Sequence, residues 1–465
     1  MTSSQDTIVA IATGQGGAIA IIRLSGPQAM EIGDTLFHSK SGERLAQQKG
    51  YTIHYGTIQD QDRTIDDVLI SVFHAPYSYT GEEMLEISCH ASTYIQQEIL
   101  RLCQRYGARA ARPGEFTMRA FLNGKMDLSQ AEAVADIIAA DSRASHQLAT
   151  RQIRGGYSEE FAQLRAQLLH LVSLLELELD FSEEDVEFAD RTEIGNIMNT
   201  IALKVSRLKN SFKLGNILKN GVPVAIVGSP NVGKSTLLNA LVNEEKALVS
   251  DIAGTTRDVI EDTVNIDGVL FRFIDTAGIR KTDDPLENLG IERTYQRLDQ
   301  AAIVLLVIDA RESIEAMMPQ LDTVDLRTDQ KIAVILNKAD RIDNQELQEK
   351  LQILQEKTRY TVLGLSAKLQ LHMEKLVAFL KQSVNLDALQ GEEIIVFNAR
   401  HHQILASAES ALIRARQSLT DQLPGDLLAQ DIREVLYYLN SITGTEEITS
   451  DDVLHNIFSS FCIGK

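Results

Sequence analysis

The spacing of apolar residues changes along the chain, and each change marks a different kind of structure. Residues 1–118 contain short apolar runs such as TIVAIA, AIAIIRLSG and DDVLISVF between glycine and proline turns, which predicts an α+β domain rich in strands. From 119 to 215, apolar residues recur every three or four positions, which predicts helices. One of these begins in DLSQAEAVADIIAA, with a predicted capping box of Ser129 and Glu132. The next carries a leucine-rich stripe from 161 to 179 that we interpret as core packing.

Residues 216–383 alternate short apolar strands with helical segments. The strand candidates are VPVAIVG, FRFIDTAG, AAIVLLVIDA, KIAVILNKAD and TVLGLSA, and such runs are typical of a parallel sheet that is covered on both faces. Residues 384–465 are helical again. The pattern therefore predicts a doubly wound α/β domain at 216–383, inserted into a discontinuous all-helical domain formed by 119–215 and 384–465.

The sequence GSPNVGKS has the spacing of a phosphate-binding loop and follows a predicted strand directly. Gly228 and Gly233 would let backbone N–H groups point at phosphates, with help from the N-terminus of the next helix. Lys234 is expected to reach the β- and γ-phosphates, and the Ser235 hydroxyl is expected to bind Mg²⁺. The spacing alone would also fit an ATPase.

Two later stretches fit the loops that contact Mg²⁺ and the γ-phosphate. DIAGTTRD supplies Thr255 and Thr256, one of which should complete the Mg²⁺ coordination, and we assign Thr256 to this role. DTAG places Asp275 at a strand end, where it would hold the metal through water. It also places Gly278 where its N–H can meet the γ-phosphate. Together with the phosphate loop, these motifs predict a nucleotide switch.

The sequence NKAD decides the base. Asp340 can accept hydrogen bonds from guanine N1–H and N2–H₂, whereas adenine leaves a buried carboxylate unpaired. LSAK is expected to put a backbone N–H of Ser366 or Ala367 on guanine O6. The chain is therefore predicted to be a GTPase. The predicted nucleotide-binding residues are Asn231, Val232, Gly233, Lys234, Ser235, Thr236, Ser250, Asp251, Ile252, Ala253, Gly254, Thr255, Thr256, Asp275, Thr276, Ala277, Gly278, Asn337, Lys338, Asp340, Ser366, Ala367 and Lys368.

The catalytic apparatus is incomplete by comparison with many GTPases. Ile279 stands where a water-orienting glutamine commonly follows DTAG, and it cannot hydrogen-bond a water. Arg280 is close, but a solvated switch residue is an equally good interpretation. Some other group must therefore position water and offset the charge of the transition state.

Net charge and cysteine content indicate which kind of partner the protein binds and in which cellular compartment it works. A net charge of −20 disfavours direct gripping of nucleic acid, so an RNA role is expected to run through a more basic partner. No apolar run approaches the about 18 residues of a membrane span. Cys89, Cys103 and Cys462 lack metal-ligand spacing, and the N-terminus lacks a basic signal-peptide region. We expect a cytoplasmic protein.

The most diagnostic sequences lie outside the GTPase motifs. YTGEEMLEISCH, ARPGEFTMRAFLNGKMDLSQAEAVADII and SSFCIGK would not occur in a generic GTPase. With them the chain resembles the MnmE (TrmE) family of tRNA-modification GTPases from DTIVA to the terminal FCIGK.

The resemblance implies how the catalytic gap is filled. MnmE-like proteins use a bound K⁺ in place of an arginine finger, and their GTPase domains dimerise in the GTP state. Asn231 matches the K⁺ ligand of the phosphate loop, and Ser250, Ile252 and Thr255 match the positions that complete the K⁺ shell. Glu287 matches the glutamate that activates water. Lys234, Gly278 and Glu287 thus form the expected catalytic set.

The resemblance also implies that 1–118 is a folate-binding and dimerisation domain. Arg23, Glu86, Lys125 and Lys465 match the family's contacts to 5-formyl-tetrahydrofolate. A guanine-like pterin edge suits Glu86, and cations suit a carboxylated tail. His90-Ala91-Ser92 departs from the His-Gly-Gly turn that is frequent in the family, so close backbone approach to the ligand is less assured there.

The function implied by the resemblance is modification of C5 of the wobble uridine in certain tRNAs. The chain would act as a homodimer with MnmG, which uses FAD and NADH, and folate would supply one carbon. Cys462 could be a nucleophile or a buried thiol, and we favour a structural or positioning role. The alternatives are a ribosome-assembly GTPase, which would need a basic RNA-binding module, and a membrane-remodelling GTPase, which would need an anchor.

Overall fold

A computed structural model describes most of the chain. The described residues are 6–14, 16–40, 42–180, 191–246, 262–274, 301–321, 330–384, 394–444, 454, 457–459, 461–462 and 464. They divide into two compact units, one built from Met1–Ala139, Ala149–Arg207 and Gln403–Lys465, the other from Ala140–Leu148 and Leu208–His402. The domain boundaries at 118, 215 and 383 stay predictions, because the first unit contains both the N-terminal region and much of the two helical segments.

The first unit contains a mixed sheet at its N-terminal end, in the strand order β3-β4-β5-β6-β2-β1-β7. β1 and β7 pair in parallel, and the other neighbours are antiparallel. The strands are β1 (Thr7–Ile11), β2 (Ile19–Ser25), β3 (Phe37–Ser39), β4 (Thr52–Asp60), β5 (Arg63–Phe73), β6 (Met84–His90) and β7 (Ala108–Ala110).

One face of this sheet carries the larger hydrophobic core, and the alternation of β2 and β6 shows which one. Helices α1 (Ala29–Leu36) and α2 (Thr93–Arg105) share a core with the buried Ile22 and Leu24 of β2 and with Ile87 of β6. Since successive side chains of a strand point to opposite faces, the residues between them lie on the other face. Arg23 of β2 and Glu86 of β6 therefore lie on the face opposite α1 and α2.

The remaining described helices of the chain begin after this sheet. They are α3 (Glu115–Leu122), α4 (Leu128–Ile138), α5 (Arg143–Ile153), α6 (Gly156–Asp180), α7 (Arg191–Asn220), α8 (Lys234–Lys246), α9 (Ile314–Leu321), α10 (Asn344–Lys357), α11 (Met373–Ser383), α12 (Ala399–Thr420) and α13 (Gly425–Thr443). α13 packs along α6 although more than 200 residues separate them. This confirms that the two helical segments form one discontinuous domain. None of the described helices is long and apolar enough to cross a membrane.

The leucine-rich stripe of α6 is core, as its spacing predicts. The side chains of Phe161, Leu164, Leu168, Leu171 and Leu175 are all buried. The side chain of Leu179 lies outside the described residues. The stripe therefore stabilises the helical domain and has no need of a functional interpretation.

The predicted capping box of α4 is wrong by two residues. Asp127 is the N-cap, and its carboxylate accepts from the Gln130 N–H while the Gln130 side chain accepts from the Asp127 N–H. Ser129 donates to Asp127 at 2.7 Å instead of capping the helix itself. An aspartate is as good an N-cap as serine, and its negative charge is favourable at the positive end of the helix dipole.

The second unit has the doubly wound sheet that the sequence predicts, in the order β13-β12-β11-β8-β10-β9. All described pairings are parallel except that of β9 with β10. The edge strand β9 was missed because its polar residues give no apolar run. The strands are β8 (Val222–Val227), β9 (Asp262–Ile266), β10 (Val269–Phe273), β11 (Ile303–Asp309), β12 (Lys331–Asn337) and β13 (Thr361–Gly364). Central β11 is buried along its whole length.

Candidate functional site

The loop between β8 and α8 packs so closely on the sheet that two of its residues must be glycine. A Cβ on Gly228 would lie 2.1 Å from the Val307 carbonyl oxygen, and φ of Gly228 is 147°. A Cβ on Gly233 would lie 2.4 Å from Nδ2 of Asn337, and φ of Gly233 is 101°. Both positions therefore exclude a side chain by contact and by backbone conformation.

The loop leads directly into the N-terminus of α8. Lys234 is the first helical residue, and its Nζ donates to the carbonyl oxygens of Gly228 at 2.7 Å and Ser229 at 3.0 Å. Ser235 follows in the first turn, half-buried. The unpaired N–H groups and dipole of a helix N-terminus attract anions. The loop, its lysine and the helix thus have the composition and geometry of a phosphate site.

Asn337, at the end of β12, joins the base motif to the phosphate loop. Its Nδ2 donates to the Val232 carbonyl at 2.8 Å, and its Oδ1 accepts from the Ala367 N–H at 3.0 Å. Asn337 is buried, and both sides of its amide are therefore satisfied. The structure brings together three sequence motifs, GSPNVGKS, NKAD and LSAK, as the sequence predicts for one nucleotide site.

Lys338 makes a second link between the same loops. Its Nζ donates to the Asn231 carbonyl at 2.6 Å and to Oδ2 of Asp309 at 2.8 Å. Both Asn231 and Lys338 have positive φ, 64° and 62°. The sequence analysis missed Asp309, although an acidic residue at the end of the apolar run AAIVLLVIDA was an available signal. Hydrogen bonds from Arg311 and from Lys338 hold the pKa of Asp309 well below its usual range.

Asp340 has the protonation state that guanine recognition requires. A hydrogen bond with Ser366 lowers the pKa of the Asp340 carboxyl, with a smaller contribution from Arg341. The carboxylate is therefore ionised at neutral pH and can only accept hydrogen bonds. Ser366 and Ala367 are buried beside it, and Lys368 is exposed. A carboxylate that only accepts matches the two donors of the guanine edge.

The rest of the predicted nucleotide site cannot be compared with the structure. The following lie outside the described residues and stay predictions: Ser250, Asp251, Ile252, Ala253, Gly254, Thr255, Thr256, Asp275, Thr276, Ala277, Gly278 and Glu287.

A second cluster lies in the first unit, on the face of the N-terminal sheet opposite α1 and α2. Arg23 and Glu86 are direct register partners on β2 and β6. Arg23 Nε and Nη2 donate to Glu86 Oε1 at 2.9 and 2.7 Å. The guanidinium carbon lies 5.1 Å from the ring centroid of Tyr79 and 5.6 Å from that of Phe116. These contacts hold the Arg23 side chain in one orientation.

The C-terminal tail returns to this cluster within the same chain. Arg23 Nη1 donates to the Gly464 carbonyl at 3.3 Å, and a Cβ on Gly464 would lie 2.1 Å from the Ile11 carbonyl oxygen. The Gly114 N–H donates to the Cys462 carbonyl at 3.4 Å. The tail is thus packed by backbone contacts at two places, against β1 of the N-terminal sheet and against the N-cap of α3.

The other two residues of the predicted folate set are Lys125 and Lys465. Lys125 is exposed, and its Nζ donates to the Pro76 carbonyl at 3.0 Å. Lys465 lies outside the described residues, directly after Gly464. The structure therefore brings Arg23 and Glu86 together, and it brings the residue before Lys465 to the same place.

The three cysteines differ in exposure. Burial raises the pKa of Cys89 to about 11 and that of Cys103 to about 12, so both are thiols at neutral pH. Cys462 is exposed, which excludes the interpretation as a buried thiol. Its described hydrogen bond is made by its backbone and not by its sulfur.

Comparison with known proteins identifies relatives along nearly the whole chain. The family models "GTP-binding protein TrmE N-terminus" and "MnmE helical domain" match residues 7–125 and 128–462. The "tRNA modification GTPase MnmE" of Bacteroides fragilis is 52% identical over 466 residues, 99% of this chain and 100% of that protein. The protein of the same name from Christiangramia forsetii is 52% identical over 472 residues, 99% of both.

Solved structures give a weaker likeness. A GTP-binding protein from Sulfolobus solfataricus in complex with GDP is 19% identical, and the match covers 51% of this chain and 71% of that one. The TM-score of this match is 0.27. The full-length relatives and both family models confirm the predicted fold class and the prediction of a GTPase. The chain belongs to the MnmE family of tRNA modification GTPases.

Proposed function

We propose that this protein is a K⁺-dependent GTPase that takes part in modifying C5 of the wobble uridine of tRNA with a folate-derived carbon. The observation that carries the proposal is that one chain holds two chemically different sites. One joins a phosphate loop to a guanine-reading carboxylate, and the other is an oriented arginine–glutamate pair that the C-terminal tail reaches. A GTPase that only switches would not need the second site.

In the nucleotide site, hydrolysis needs positioned charges more than covalent chemistry. Lys234 would bind the β- and γ-phosphates. Ser235 and Thr256 would hold Mg²⁺, which neutralises charge between those phosphates. The N–H of Gly278 would contact the γ-phosphate, and Glu287 would orient and deprotonate the attacking water. These roles rest on the sequence motifs and the family.

Potassium would supply the positive charge that an arginine finger supplies elsewhere. Asn231 is exposed in the phosphate loop, and its backbone is held by Lys338, which supports a fixed direction for its side-chain oxygen. Ser250, Ile252 and Thr255 would add oxygen ligands, which a hard cation prefers. Under this proposal, the rate of GTP hydrolysis depends on K⁺ binding by the Asn231 side chain.

The potassium proposal is tested by comparing GTP turnover in K⁺ and in Na⁺. We expect turnover in K⁺ to exceed that in Na⁺, and Asn231→Ala to lower it on the order of 100-fold, the size of a lost transition-state contact. Glu287→Ala should lower kcat with GTP affinity nearly unchanged. Asn220→Ala, an exposed asparagine at the end of α7, is the matched control. Equal turnover in the two salts would refute the proposal.

In the second site, Arg23, Glu86, Lys125 and Lys465 would bind a tetrahydrofolate derivative. Glu86 can accept from the donor edge of the pterin, and the cations can pair with the carboxylated tail. Calorimetry of the purified protein with 5-formyl-tetrahydrofolate tests this assignment. Absence of binding would favour the ribosome-assembly alternative, which has no use for folate.

The tRNA would be bound mainly through the partner MnmG, with this chain as a homodimer in the cytoplasm. The net charge of −20 supports this arrangement, because an acidic protein gains little from phosphate contacts. GTP hydrolysis would drive a conformational cycle, and folate would provide the carbon. Co-purification of a complex with MnmG, followed by tRNA binding with and without it, tests the division of tasks.

A further inference from the structure

Asp309 ends the central strand β11 between the two halves of the nucleotide site. It is the register partner of Asn337 on β12, and β11 also pairs with β8, which leads into the phosphate loop. Its carboxylate accepts from Lys338 Nζ at 2.8 Å, from Arg311 Nη2 and Nε at 2.7 and 3.0 Å, and from the Arg311 N–H at 3.1 Å. At 7% exposure, this is a buried and fully bonded anion.

The two cations that meet Asp309 differ in where else they bind. The Arg311 side chain is 56% exposed, and ion pairs of exposed groups contribute little. The Lys338 side chain is 29% exposed and donates a second hydrogen bond, at 2.6 Å, to the Asn231 carbonyl. Lys338 is therefore the route from Asp309 to the phosphate loop.

The Asn231 carbonyl is a place where support is needed. Asn231 has φ 64°, a left-handed conformation that asparagine adopts more readily than most residues with a side chain and that persists when the surroundings hold it. The adjacent carbonyl of Val232 is held by the neutral amide of Asn337. Two neighbouring carbonyls of the loop are thus held by two residues of NKAD, and the charged contact depends on Asp309 for its direction.

We propose that Asp309 is a positioning residue for the bound guanine nucleotide, acting through Lys338 on the Asn231 carbonyl and so on the shape of the phosphate loop. Asp309 touches neither base nor phosphate in this role. Its carboxylate orients the Lys338 ammonium, which would otherwise be free to turn toward solvent. The NKAD segment and the phosphate loop are then held rigidly together before the nucleotide binds. Binding therefore loses less conformational entropy in ordering them.

The test is a double-mutant cycle on the dissociation rate of a fluorescent GDP from the full-length protein. We expect Asp309→Asn and Lys338→Met each to speed dissociation by about 10- to 100-fold, as for a lost buried hydrogen bond to a charge. The double variant should be no faster than Lys338→Met alone, because both changes break the same link. Glu356→Gln, an exposed carboxylate on α10, controls for the loss of one charge.

A merely structural Asp309 gives a different result. The effects of the two changes would then multiply in the double variant, and the midpoint of thermal unfolding would fall in proportion to the faster dissociation. Arg311→Ala keeps the Asp309–Lys338 contact and should leave dissociation within about twofold, as expected for an exposed ion pair. A larger effect would assign the role to Arg311 and overturn the proposal.

Two further measurements keep the test decisive. If Asp309→Asn does not fold, Lys338→Met and Arg311→Ala still separate the two routes, and an unchanged rate in Lys338→Met would refute the proposal. Repeating the cycle in K⁺ and in Na⁺ adds a second readout that rests on the proposed K⁺ site. A coupling present in both salts supports Asp309 even if the potassium proposal fails.

Discussion

The nucleotide site and the Arg23 cluster are built in opposite ways. Most of the predicted phosphate-binding residues lie in eight consecutive positions, 228–235, and the conformation of this loop depends on two glycines. The Arg23 cluster joins β2, β6 and a tail that is 441 residues away in sequence. The first site is therefore visible as a motif, whereas the second has no local pattern and consists of side chains that pairing and chain return bring together.

Their electrostatics differ as well. The pKa of Asp340 is lowered chiefly by a neutral hydroxyl, that of Ser366, and less by Arg341, whose side chain is 59% exposed and whose Nε lies 3.3 Å from Asp340 Oδ2. Glu86 already has an ion-pair partner in Arg23, and the aromatic rings of Tyr79 and Phe116 flank that partner. A ligand of the second site must therefore compete with, or add to, an existing ion pair. The nucleotide site offers an acceptor, and the Arg23 cluster offers an oriented pair.

The sharpest separation of the two regions should come from Asp340→Asn. The amide can donate to the xanthine carbonyl where the carboxylate accepted from the guanine amine, so preference should change from GTP to XTP by about 100-fold or more. Competition between the two nucleotides measures it. Asp343→Asn, which alters the N-cap of α10, is the control, and folate binding should not change. An unaltered GTP preference would mean that Asp340 does not read the base.

Gly233→Ala should weaken nucleotide binding through a steric clash. The new Cβ would lie 2.4 Å from Asn337 Nδ2 at a positive φ, so the bridge from Asn337 to the loop must break. We expect GDP affinity to fall by about 10-fold or more, since a buried amide is left unpaired. Gly14→Ala, where a Cβ meets nothing within 4 Å, should be neutral. Titration of both variants with GDP decides, and equal affinities would contradict the contact.

Arg23→Met is the corresponding test of the Arg23 cluster, the site formed by Arg23, Glu86 and the C-terminal tail. The variant keeps the apolar contact with Tyr79 and Phe116 but removes the partner of Glu86 and the donor to the tail. We expect affinity for 5-formyl-tetrahydrofolate to fall by about 10-fold, as for a lost charged hydrogen bond, with GDP affinity unchanged. Arg44→Met, at an exposed arginine of the same unit, is the control. Loss of GDP binding would show that the two regions are not independent.

The smallest expected effect is a change in the pH dependence of stability. It concerns His74, which directly follows β5 of the N-terminal sheet. Hydrogen bonds to the Gln48 carbonyl and to Glu83 raise the pKa of His74 above its ordinary 6.5. The protonated form is thus favoured in the folded protein, and its contribution to stability is complete below 6.5 and is lost as the pH rises through the raised pKa. His74→Gln should flatten stability against pH in that window, as urea unfolding would report. An unchanged slope would exclude His74.

Local conformational requirements made part of this protein readable from the sequence alone. Gly228 and Gly233 indicate a phosphate loop because their positive φ favours glycine. The stripe of α6 and the buried run of β11 identify core for a similar reason, since burial and periodicity act over a few residues. Where the signal was weaker, at the polar edge strand β9 and at the cap of α4, the sequence analysis missed the strand or displaced the cap.

Tertiary structure decided what depends on which distant residues meet. Strand register sets Arg23 opposite Glu86 and Asp309 opposite Asn337, and no spacing in the sequence encodes either pair. The return of Gly464 to Arg23 likewise requires the tail to pack on the N-terminal sheet. The physical reason is that a side-chain contact across a sheet is set by pairing and packing summed over whole strands, whereas a turn or a helix is set by its own few residues.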